Sequence, residues 1–94
     1  MEQGKTRGLY VTFHVELKFA DGRRTRDDGW WWKTLADTQG EAEKIVRADV
    51  DEVGGAVIAG RVVKYSLPFD VRGLVCGPSV SEVVYNYRKG GGAQ

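Results

Sequence analysis

From Leu9 to Phe19 apolar and polar residues alternate without a break, Leu9, Val11, Phe13, Val15, Leu17 and Phe19 against Tyr10, Thr12, His14, Glu16 and Lys18. A period of two sustained this long predicts a strand with one buried face. Ala20-Asp21-Gly22-Arg23 offers a tight turn, because Gly and Asp tolerate the backbone conformations it needs. Folding back there would set Trp30 against Phe13 and Trp32 against Val11. It would also bury Arg24, Arg26 and Asp28 beside Phe19, Leu17 and Val15, which is expensive. Asp21–Gly29 is therefore expected to be a long, basic, poorly ordered hairpin tip, with pairing resumed near Trp30. In the following strand, Trp30–Leu35, Trp30 and Trp32 are expected in the core. Trp31 and Lys33 are expected on the outer face with Tyr10, Thr12 and His14.

Thr38 with Glu41 forms a capping box, and Ala42, Ile45, Val46, Val50 and Val53 recur at helical spacing until Gly54-Gly55. A helix over 39–53 is predicted. Ala56–Leu67 is expected as a third strand, with Gly60 as a bulge and Pro68 as its end. Phe69–Gly77 is expected as loop with a short strand at Val71–Val75. Val80–Lys89 alternates as a strand through Val83, Tyr85 and Tyr87, and its Val/Tyr content favours that over a helix capped by Ser79. The fold class is therefore α+β: one small domain over 1–89, four mostly antiparallel strands in the order ββαββ, and one helix on one face. The Gly-rich tail 90–94 is expected to be disordered.

Length and composition narrow the function. The chain has 94 residues, 41% of them apolar and 29% charged, which fits one core and one domain. No apolar stretch reaches the roughly 20 residues a membrane span needs, and the charged start has no signal-like run, so a cytoplasmic setting without membrane contact is expected. The lone Cys76 allows no internal disulfide and no multi-cysteine metal site. The net charge of +1 is unevenly spread: residues 1–36 carry +2, residues 37–53 carry −4 and residues 54–94 carry +3. The acidic segment is the solvated face of the helix or a docking surface for a basic partner.

Catalytic and metal-binding patterns are lacking. His14 has only Glu16 on its face to orient it, Cys76 has no neighbouring charge to stabilise a thiolate, and the carboxylate pairs lack metal-loop spacing. The expectation is a non-enzyme with no catalytic residues, no metal and no cofactor. What stands out is aromatic and charged surface. Trp31, Tyr10 and Lys33, with Glu41 and Glu43 as an acidic rim, are the candidate protein-binding residues.

Two resemblances follow. Asp21-Gly22-Arg23-Arg24, Trp30 and Thr38-Gln39-Gly40-Glu41-Ala42-Glu43 look like the basic hairpin, aromatic strand and Thr-x-x-Glu-Ala helix of the arm-type DNA-binding domains of phage integrases. That resemblance implies nucleic-acid contacts by Arg23, Arg24 and Arg26. In kind rather than motif, a small α+β domain with an acidic patch and an aromatic sheet face is similar to phage-encoded anti-CRISPR proteins. This implies a protein-interaction module that inhibits a nucleic-acid-processing complex by occupying its surface. The alternative is a sheet-type DNA-binding domain. A homodimer through the open sheet edge or face is a further expectation.

Overall fold

The computed structural model describes residues 7–20, 29–90 and 92–93, the last two for their backbone only. Arg23, Arg24 and Arg26 lie outside these residues. The chain forms strand β1 (Gly8–Phe19), strand β2 (Trp31–Ala36), helix α1 (Gln39–Asp51), strand β3 (Val57–Phe69), strand β4 (Val80–Arg88) and a short strand β5 (Gly92–Ala93). All pairings are antiparallel, in the spatial order β2-β1-β3-β4-β5. The ββαββ order expected from the alternation is present. The tail is not wholly irregular as expected, since Gly92–Ala93 pairs with Tyr87–Arg88.

The helix lies across one face of this sheet. Its buried residues Ala42, Val46 and Val50 fall at the spacing of one helical stripe, and they meet Val15, Leu17, Ala36, Val57 and Val62. Each fully buried valine contributes roughly 1.5–3 kcal/mol of transfer free energy. Thr38 caps the helix, its Oγ1 accepting the Glu41 amide at 3.2 Å. The helix stops at Asp51, short of the expected Val53, which is 98% exposed. Gly54, at φ +76°, takes the left-handed turn that follows.

Gly60 is not the bulge its sequence suggested. It sits beneath the helix, where a Cβ would come within 2.6 Å of Val46 Cγ1 and 3.2 Å of Leu17 Cδ2. The absent side chain is what lets α1 approach β3 so closely. The ladder irregularities fall elsewhere, between Val15 and Glu16, between Lys18 and Phe19, and between Val62 and Val63.

β3 also runs through Pro68 to Phe69 rather than ending before it. The Phe69 carbonyl accepts from Arg7 of the β1 segment, whereas the Pro68 carbonyl accepts from Cys76 on the other side. The nitrogen of Pro68 therefore faces away from β1, beyond the end of β4, where no ladder bond is required. Residues 71–75 form a turn with one bridge, Phe69 to Val75, in place of the expected short strand.

Candidate functional site

The β1–β2 register decides which side chains reach the open face, and it differs from the tight-turn expectation. Leu17 pairs with Trp31 and Glu16 with Trp32, and a bulge then leaves Lys33 as an extra residue before Val15 pairs with Thr34. Three expected positions are thereby reversed. Trp31 lies on the helix side, packed on the core and edge-on to Phe19 at 5.6 Å between ring centroids. Trp32, expected in the core, lies on the open face and is 43% exposed. Lys33 also turns to the helix side, where its ammonium pairs with Asp49. Leu35 is on the open side, opposite His14.

The expected protein-binding set is therefore divided. Tyr10 is on the open face, Trp31 and Lys33 are on the helix side, and Glu41 and Glu43 are on the helix. Several acids of that helix are already engaged. Asp49 holds Lys33, and Glu43 accepts from Gln39 at 2.8 Å with Arg47 at 3.7 Å. Asp51 accepts from the Tyr87 hydroxyl at 2.8 and 2.9 Å, which holds the phenol protonated above its usual range. Asp37, Glu41 and Glu52 stay exposed.

On the open face, cross-strand neighbours bring aromatic rings together. Thr12 pairs with Tyr65, Tyr10 with Leu67 and Gly8 with Phe69. Tyr10 and Phe69 have centroids 4.4 Å apart, and His14 and Tyr65 4.1 Å apart. The Tyr10 hydroxyl donates to the Gly73 carbonyl at 3.0 Å, which ties the Asp70–Ser79 loop to the sheet. That loop is closed by Asp70, whose carboxylate accepts from the Arg72 and Leu74 amides and from the Arg72 guanidinium. The Arg72 contact is the main reason the Asp70 carboxyl lies below its usual range.

His14 is built into this face rather than poised for proton transfer. The Trp32 indole N–H donates to its Nδ1 at 3.0 Å, so the neutral ring carries its proton on Nε2 and donates to Thr12 Oγ1 at 3.3 Å. Partial burial pushes the imidazole below its usual value, against the smaller opposing pull of Glu16. Glu16 does not orient His14 as the sequence suggested. It is buried to 2% exposure and accepts from Arg61 Nε at 2.7 Å. The Arg61 guanidinium in turn lies over the Trp30 ring, 4.2 Å from its centroid.

The hairpin-tip end of the face holds a cleft of about 590 Å³ lined by Lys18, Trp30, Ile58, Asn86, Arg88 and Lys89, among others. Its charged lining is entirely cationic. Among the described residues, the only carboxylate whose register places it on the open face is Glu16, and it is sealed against Arg61. Trp32, Tyr65, Phe69 and Arg88 were not singled out from the sequence. Each is placed by strand register: β1–β3 matches Gly8 to Phe69 and Thr12 to Tyr65, β1–β2 matches Glu16 to Trp32, and β3–β4 matches Ala59 to Arg88.

No group of His, Cys, Asp and Glu among the described residues is arranged to hold a metal ion. No helix in the described residues is long and apolar enough to cross a membrane. Comparison with family models, curated proteins and solved structures returns no match to this chain.

Proposed function

We propose that this chain is a non-enzymatic binding module that takes single-stranded nucleic acid on the open face of its sheet. One observation carries the reading: exposed rings and cations share that face, while its single carboxylate among the described residues is neutralised beneath Arg61. A ligand with planar groups and regular negative charge suits such a surface, because bases stack on rings and phosphates meet Lys18 and Arg88, whereas the Lys89 ammonium donates to the Glu52 and Gly55 carbonyls on the helix side. The role is close to the sheet-type DNA-binding alternative drawn from the sequence, with the contact surface moved from the hairpin arginines to the sheet itself.

Fluorescence anisotropy with labelled oligothymidylate and oligouridylate tests it. Trp32→Ala is expected to weaken binding by about fivefold to a hundredfold, in line with about 1–3 kcal/mol per stacked base. Arg88→Ala is expected to weaken it and to flatten its salt dependence. No binding at low salt by the native chain would overturn the proposal.

A second reading is favoured by the exposed Asp37, Glu41 and Glu52 beside α1. They suit a basic protein surface, as an inhibitor of the anti-CRISPR kind would require. On that reading, Glu41→Lys abolishes activity against a nucleic-acid-processing complex while Trp32→Ala leaves it intact.

A further inference from the structure

β2 begins to pair with β1 only at Phe13, so no described strand lies against the outer edge of Gly8–Thr12. The direction of the backbone groups on that edge follows from β3. The Phe69 carbonyl points to the β1 segment and the Pro68 carbonyl points away from it. Alternation along the ladder then commits Gly8, Tyr10 and Thr12 to bonding β3, and leaves the N–H and C=O groups of Leu9 and Val11 facing outward.

Exposed edges are normally guarded by a charge, a proline or a bulge. The edge of β2 has the bulged Lys33, and β4 has Glu82 and a bulge of its own. Gly8–Thr12 has none of these, and Leu9 is 55% exposed beside it.

We propose that this edge pairs with the same edge of a second copy of the chain, antiparallel about a two-fold axis at Tyr10. The register is self-complementary. Leu9 of one copy and Val11 of the other exchange both ladder bonds, and symmetry repeats the exchange. Their apolar side chains meet on the helix side, and Tyr10 meets its own counterpart on the open side. No like charges are opposed within the segment. Just beyond it, the outer edge of Phe13 is already paired with Ala36, so the shared ladder ends there and Arg7 of each copy leaves it beside the end of β2 of the other, where Asp37 is exposed. Opposite charges therefore flank both ends of the contact. The two open faces lie on the same side of the joined sheet and form one longer surface.

Sedimentation equilibrium of the full chain tests this, with cross-linking as a second measurement. A concentration-dependent species of twice the 10.4 kDa chain mass is expected. Val11→Pro removes an outward N–H while sparing the bonds to β3, and is expected to weaken the dimer at least tenfold with the circular dichroism spectrum retained. In a Cys76→Ser background, Tyr10→Cys is expected to oxidise to a linked dimer, and Val53→Cys at the helix end is not. A chain that stays monomeric at millimolar concentration, a dimer indifferent to Val11→Pro, or equal cross-linking at both cysteine positions would each overturn the proposal.

Discussion

One half of the sheet is covered and the other is not. From Phe13 to Phe19 on β1, and from Val57 to Val62 on β3, the strands lie under α1, and Val15, Val46, Val50 and Val62 are fully buried. From Gly8 to Thr12 and from Lys64 to Phe69 the same two strands continue past the helix. There Leu9, Tyr10 and Val11 are exposed, and the Asp70–Ser79 loop takes the place of a packed layer. The backbone ladder is continuous through both halves. Hydrogen bonding therefore sets how far the sheet extends, and side-chain packing sets how much of it is rigid.

Glycines in the two halves separate these contributions most sharply. An added Cβ would meet Val46 Cγ1 at 2.6 Å from Gly60 and Phe69 Cζ at 2.7 Å from Gly8. Val46 is held between helix and sheet, whereas the half-buried Phe69 ring is at the periphery and can swing aside. Gly60→Ala is expected to cost about 2–3 kcal/mol in denaturant unfolding, as overpacking of a filled core does, and Gly8→Ala less than about 1 kcal/mol. Equal costs would remove the distinction between the halves.

Truncation gives the next largest contrast. Val46→Ala is expected to destabilise by about 2 kcal/mol through lost burial and a residual cavity, and Val11→Ala by no more than about 0.5 kcal/mol.

The smallest expected effect is in acid. The fold favours neutral His14, so the unfolded chain takes up its proton first. This stabilisation is complete above the ordinary histidine value of 6.5 and declines as pH falls below it. Asp70 behaves differently because its folded value lies below the ordinary 3.8. Its contribution is present above that value and disappears only as pH drops further. Melting temperature against pH should show both declines, and His14→Gln should remove only the first.

Strong periodicity made much of this architecture legible in advance. The alternation through Leu9–Phe19 and the stripe of Ala42, Val46 and Val50 identified β1, the helix and the core between them. The open face was harder to place because its composition depends on register, which the chain between Phe19 and Trp31 leaves undetermined. Trp30-Trp31-Trp32 has no internal phase, since identical side chains cannot distinguish inward from outward, and the bulge at Lys33 shifts the pattern again. The pairing of Glu16 with Arg61 joins residues far apart in sequence and has no local signature. Pro68 misled for a different reason. It is tolerated because of where β4 ends, which the chain near Pro68 does not reveal.

The overhang of β1 and β3 past the helix also has a mechanical meaning. A pull applied near Arg7 would be resisted at first by the interstrand bonds alone, unzipping them one at a time, until the load reached Phe13 and the valines behind it. The protein should therefore give way softly at one end and yield abruptly in the middle, and whatever grips its far tip would feel a compliant arm mounted on a stiff base.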